Sequence, residues 1–147
     1  LAPMPAVASD LVGVASVIDG DTLEIRGVRI RLHGIDAPES RQLCRRSSGD
    51  EWRCGQQAAL ALSDRIGRRT INCSVRDVDR YDRAIAVCRQ GNQDLNRWLV
   101  SEGWAVAYRR YSRDYIRAED QARSAGRNIW SGQFVVPWDW RRGQRLP

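Results

Sequence analysis

The sequence predicts an α+β fold, in which five strand-like stretches are interspersed with three helix-like ones. That arrangement fits a small β-barrel with helical additions. The first observation behind it is a period-two alternation of apolar and polar residues in short runs bounded by Gly, Asp and Asn. The second is a set of longer stretches whose apolar residues recur every third or fourth position. The third is length: 147 residues make one domain, large enough to bury a core.

Residues Leu1 to Ser9 are small, apolar and proline-containing, and read as a disordered N-terminal segment. Ala6-Val7-Ala8 resembles the end of a signal peptide. The folded domain is expected over residues 10–140, and residues 141–147 read as a C-terminal tail. Leu11 to Ile18 is the first strand, leading into the tight turn Asp19-Gly20-Asp21. Leu23 and Ile25 alternate with Glu24 and Arg26, and Gly27 permits a reversal. Val28, Ile30 and Leu32 then alternate with Arg29, Arg31 and His33. A second acidic turn follows, Gly34 to Glu39.

Ser40 to Gly55 reads as a long polar loop carrying Cys44 and Cys54. A helix follows from about Gln56 to Gly67, with Ala58, Leu62 and Ile66 on one face. Thr70–Asp77 and Arg83–Gln90 make the next hairpin, with Cys73 across from Cys88 when Arg80-Tyr81 forms the turn. Short helices are expected over Asp94–Glu102, stopped by Gly103, and over Arg113–Ala125, capped by Ser112. Trp130, Phe134, Trp138 and Trp140 lie in a final stretch that wraps against the domain and then frays.

Four cysteines allow three connectivities. Cys44–Cys54 and Cys73–Cys88 is the expected pairing, with four buried thiols as the alternative. Zinc is disfavoured, because there is no CxxC pair and only one histidine, His33. Disulfides imply an oxidising compartment, so the protein is expected to be secreted or periplasmic. No later stretch is apolar for long enough to span a membrane, and no membrane partner is expected. Lysine is absent, and the net charge of +6 rests on arginine alone. The arginine bias is what a GC-rich coding sequence gives, while the positive sign favours a polyanionic partner.

The chemistry concentrates between Val17 and Glu39. Asp21 and Asp36 are oxygen donors on separate turns, which suits a hard cation such as calcium. Glu39 follows Pro38, whose fixed φ aims the next residue. A carboxylate beside a metal can act as a general base on water. Arg31 offers a planar fork that fits a phosphate. Together these are the parts of a metal-assisted phosphodiester hydrolase. The bland alternative is a solvated hairpin between two acidic turns.

This stretch resembles the signature of the staphylococcal nuclease (thermonuclease) family. The family's first motif stands here as Ile18-Asp19-Gly20-Asp21-Thr22, then Arg31, then Ile35-Asp36-Ala37-Pro38-Glu39. A second, D-x-Y-G-R, stands as Asp79-Arg80-Tyr81-Asp82-Arg83, with aspartate where the family has glycine. Similarity continues through Leu95–Tyr108 and Ala118–Trp130.

The resemblance implies an OB-fold five-stranded barrel and a calcium-dependent (Ca2+) endonuclease acting on DNA and RNA with little sequence specificity. It implies Asp21, Asp36 and the Ala37 carbonyl as metal ligands, and Glu39 as the general base. Arg31 and Arg83 would grip the phosphate, with Asp19 tuning the metal site. Tyr81 would lie beside the nucleotide, and Tyr108, with Tyr111, near a base. The substrate would be single-stranded or frayed duplex nucleic acid and the protein a monomer. Two other readings stand beside this one. One is a catalytically weak nucleic-acid-binding module on the same fold, for which Asp82 is the one supporting departure. The other is a disulfide-bonded periplasmic protein that binds a small anion or a protein partner.

Overall fold

The computed structural model describes residues 10–147, and the disordered segment expected over residues 1–9 lies outside the described residues. In chain order the strands begin with β1 (Asp10–Val14), β2 (Ser16–Asp19), β3 (Thr22–Ile25), β4 (Val28–Leu32), β5 (Ile35–Asp36), β6 (Cys44–Arg46) and β7 (Glu51–Trp52). They continue with β8 (Thr70–Val78), β9 (Ala84–Gln90), β10 (Gln93–Asp94), β11 (Val106–Ala107) and β12 (Gly132–Gln133). The helices are α1 (Cys54–Ile66), α2 (Leu95–Ser101), α3 (Ile116–Ala125) and α4 (Pro137–Arg141), with a 3-10 turn at Asn128–Ser131.

One bent strand serves both edges of the main sheet. β1 pairs with β8, placing Leu11 opposite Cys73, and β2 pairs with β3, placing Val17 opposite Leu23. Only Ala15 separates the two halves. The sheet order β1-β8-β9-β4-β3-β2 therefore begins and ends on the same chain segment. Counting that segment once leaves a curled, five-stranded OB-like barrel. The β4–β9 pairing is parallel, and the other main-sheet pairings are antiparallel.

The alternation read in the sequence is realised as burial. Leu23, Ile25, Ile30, Leu32, Ile71 and Ala86 all point into the core. The α1 residues Leu62 and Ile66 close it from one side, and Leu95 and Leu99 of α2 close it from another. Helix α2 is capped by the Asp94 side chain, which accepts from the Arg97 amide at 2.9 Å.

Three features depart from the sequence expectations. The loop Ser40–Gly55 contains the β6–β7 hairpin, which joins β12 in a small three-stranded sheet. Trp52 drives this by burying itself with Cys44, Cys54, Val106 and Ile129 in a second core. Helix α3 begins at Ile116 rather than Arg113. There the Ser112 hydroxyl captures the Asp114 amide at 3.0 Å in a local turn, while Tyr115 is drawn into the core. Near the C-terminus, Pro137 opens the short helix α4.

Cys44 is bonded to Cys54 and Cys73 to Cys88. Cys73 and Cys88 are direct cross-strand partners, and the β8–β9 register shifts beyond them, between Val75 and Asp77. The second bridge closes a loop across 15 positions. Replacing Cys73 and Cys88 together with serine is expected to reduce unfolding free energy by about 2–4 kcal/mol. A urea titration reads this as a lower midpoint.

Candidate active site

Gly20 lets the first acidic turn lie against the second. A Cβ at Gly20 would sit 2.9 Å from the Cβ atoms of both Ala37 and Ala58. The bare backbone brings Asp21 Oδ2 within 2.7 Å of the Ala37 amide, which donates to it. The Thr22 hydroxyl donates to Asp21 Oδ1 at 3.1 Å. Ala37 thus meets Asp21 through its N–H, leaving its carbonyl out of this contact.

Arg31 projects from β4 between the two turns. Its Nη1 lies 3.4 Å from Asp21 Oδ2 and its Nη2 lies 3.3 Å from Asp36 Oδ1. Nη1 also donates to the carbonyls of Ile35 and Leu32, at 3.0 and 3.2 Å. β5 is held by β11, with Asp36 opposite Val106, and this keeps the Asp36 side chain fully buried.

Arg141 reaches the same carboxylates from α4. Its two terminal nitrogens fork the two oxygens of Asp36, each at 3.0 Å. Nη1 also donates to Glu39 Oε2 at 3.0 Å. Glu39 is placed by its backbone. Its N–H donates to Gln42 Oε1 at 3.2 Å, and Gln42 Nε2 donates onward to the Val135 carbonyl at 2.6 Å. A Cβ on Gly55 would overlap the Glu39 carbonyl oxygen, so glycine is required where α1 passes this turn.

Arg83 stands apart from this cluster. Arg31 is registered with Ile85 across the parallel β4–β9 pair. Continuing the alternation back to Arg83 puts both arginines on one sheet face. Arg83 Nε bonds Asp79 at 2.8 Å, and its guanidinium lies 5.6 Å from the centre of the Tyr81 ring. Asp82 does not hold Arg83. It takes a left-handed conformation, φ 62°, which glycine adopts freely and aspartate tolerates.

The family profile described as staphylococcal nuclease homologue matches residues 29–132. That span exceeds half of the chain. The chain belongs to the staphylococcal nuclease family. The matched span includes Arg31, Asp36, Glu39 and Arg83, while Asp19 and Asp21 precede it and Arg141 follows it. A micrococcal nuclease of Shigella flexneri is 31% identical over 97% of this chain and 86% of its own length. An uncharacterized endonuclease of Haemophilus influenzae is 31% identical over 90% of this chain and 74% of its own. The succinoglycan biosynthesis protein ExoI of Rhizobium meliloti is 40% identical over 86% of this chain and 68% of its own. Membership of this family supports a nuclease, that is, a phosphodiester hydrolase.

Within this nuclease fold, the aromatic side of the site is built on the second acidic turn. The Tyr108 amide donates to the Gly34 carbonyl at 2.9 Å. Its ring stacks on Trp138, with centroids 4.9 Å apart and planes within 5°, and meets the edge of Tyr111 at 4.7 Å. Tyr108 therefore has one face already covered. Tyr81 and Tyr111 are mostly exposed, at 65% and 64%.

Among the described residues, no three His, Cys, Asp or Glu side chains converge as a ready-made metal cage. The donor chemistry nonetheless fits a hard cation, because Asp21 and Asp36 are both buried carboxylates. Burial pushes the Asp36 carboxyl up to about 6, with Asp21 adding to the rise and Arg141 opposing it. Burial, then the charges of Asp21 and Glu39, likewise push Asp19 up to about 6. The cost of keeping these buried carboxylates charged is what a divalent cation would relieve.

A pH test follows for the metal-free protein. Asp19 moves from 3.8 to about 6 on folding, so between those values the folded state holds more protons than the unfolded one. Its contribution to stability then falls as pH rises through that window. Asp19→Asn is expected to raise the melting temperature in EDTA at neutral pH and to leave it unchanged near pH 3.8. Paired thermal melts at the two pH values check this.

Three participants escaped the sequence reading. The sequence alone places Arg141 in a C-terminal tail, Trp138 in a wrapping segment, and Gln42 in a polar loop. Each acts across a long sequence gap, 105 residues for Arg141 to Asp36 and 93 for Gln42 to Val135. Among the described residues, no helix is long and apolar enough to cross a membrane.

Proposed function

We propose that this chain is a calcium-dependent endonuclease that hydrolyses phosphodiester bonds of DNA and RNA with little sequence specificity. The observation that carries the proposal is the convergence of Asp21, Arg31, Asp36 and Glu39 on one turn–hairpin–turn unit. Asp21 and Asp36, with the Ala37 carbonyl, would hold the cation, and Asp19 would tune its affinity from behind. When bound, the cation would supply positive charge against the phosphate.

The remaining work falls to the chain itself. Glu39 takes the proton of the attacking water. Arg31 balances charge on the phosphoryl oxygens from the carboxylate side. Arg83 does so from the second motif, where its bond to Asp79 runs through Nε and leaves the terminal nitrogens to face a phosphate. Tyr81 lies beside the nucleotide, and Tyr108 with Tyr111 lies near a base. Stacking of this kind tolerates any sequence and favours single strands or frayed duplex ends.

The disulfides and the Ala6-Val7-Ala8 stretch support a secreted or periplasmic location. In this reading the protein acts as a monomer. Incubation of circular single-stranded DNA and of RNA with calcium tests the proposal. The expected result is cleavage of both, opening the circle. An intact circle and uncut RNA would end the nuclease reading, and trimming of linear ends alone would end the endonuclease part.

A further inference from the structure

The acidic cluster already contains an internal cation that comes from outside the family motifs. Helix α4 is seated by Trp138 on Tyr108, and Arg141 lies one turn further along. Its fork takes both oxygens of Asp36, and the same guanidinium reaches Glu39. Asp36 is fully buried, whereas the Glu39 side chain is 35% exposed. One arginine therefore joins the proposed metal ligand to the proposed general base.

A divalent cation and this guanidinium compete for the same charge. Arg31 and Arg141 already share Asp36, so a divalent cation arriving there is a third positive group at close range, and Arg141, whose fork takes both oxygens, is the one in its way. A cation also demands shorter contacts, roughly 2.3–2.6 Å for calcium, from oxygens that the fork now occupies.

We propose that Arg141 is a tethered counter-ion of the cation site. It holds Asp36 and Glu39 in the metal-free protein, and a divalent cation binds by displacing it. Displacement frees Glu39 from its arginine partner and detaches α4 from the carboxylates. Metal loading thereby couples to the C-terminal segment and, through Trp138, to the aromatic side of the site. This rests on the reading that Asp36 holds the metal.

The size of the effect follows from population arithmetic. Apparent affinity is the intrinsic affinity multiplied by the fraction of molecules with the latch open. A latch closed nine-tenths of the time weakens metal binding about tenfold.

Calorimetric titration of calcium, above the carboxylate titration range, into wild type, Arg141→Gln and Asp36→Asn tests the proposal. Arg141→Gln is expected to bind about tenfold more tightly, and Asp36→Asn to bind far more weakly than wild type. Unchanged or weaker binding by Arg141→Gln, with Asp36→Asn still defective, would overturn the latch and leave the metal assignment standing. Wild-type binding by Asp36→Asn would overturn both.

Thermal melts give a reading independent of titration. In EDTA, Arg141→Gln is expected to melt below wild type. In saturating calcium the gap should close or reverse. A gap of equal size in both conditions would make Arg141 a structural residue only and overturn the latch.

Discussion

Arg31→Ala and Arg83→Ala are each expected to lower the cleavage rate about 10³-fold or more, and only Arg31→Ala should also lose stability. The difference follows from what each arginine holds. The Arg31 side chain is 15% exposed and is shared between Asp21 and the wholly buried Asp36. Its removal leaves two buried carboxylates short of a partner, and breaking a buried pair in this way costs about 3–5 kcal/mol. Arg83 pairs with Asp79 within a partly exposed turn, where such a pair contributes about 0.2–1 kcal/mol. The turn outlasts it, because Asp79 also accepts from the amide of Tyr81 at 2.8 Å. Cleavage rates in calcium and melting temperatures of both variants give the comparison. Full activity in Arg83→Ala would remove the second motif from the site.

Glu39→Gln is expected to reduce the rate by about 10²–10⁴-fold while nucleic-acid affinity stays near wild type. The amide keeps the size of the carboxylate but cannot take a proton from water. The backbone that positions it, through Gln42 and Gly55, is untouched by the change. Single-turnover cleavage and equilibrium binding of labelled single-stranded DNA separate the two effects. A variant that cuts at the wild-type rate would remove Glu39 as the base.

The residues that were legible in the sequence act locally. Leu23, Ile25, Ile30 and Leu32 alternate along two strands joined by a tight reversal, and burial follows that alternation directly. Asp21 and Asp36 could be paired on paper because one hairpin spans the distance between them. Asp82 could be read in place of glycine because aspartate tolerates a left-handed backbone.

The illegible parts depend on contacts that have no local pattern. β6 and β7 are short, and Trp52 becomes an inward residue only when β12 arrives from 80 or so positions later to complete their sheet. Ser112 has the chemistry of a helix cap, but the burial of Tyr115 sets where α3 begins. Arg141 is one arginine among many in a basic chain, and nothing near it marks it as the partner of Asp36.

The central claim is that the Asp21–Asp36 cluster is a metal-dependent phosphodiesterase site. Its most direct test is cleavage of single-stranded DNA by wild type in calcium, by wild type in EDTA, and by Asp36→Asn in calcium. Cleavage is expected in the first condition alone. Equal cleavage by wild type in calcium and in EDTA would contradict it, as would tight binding of DNA without cleavage in any condition.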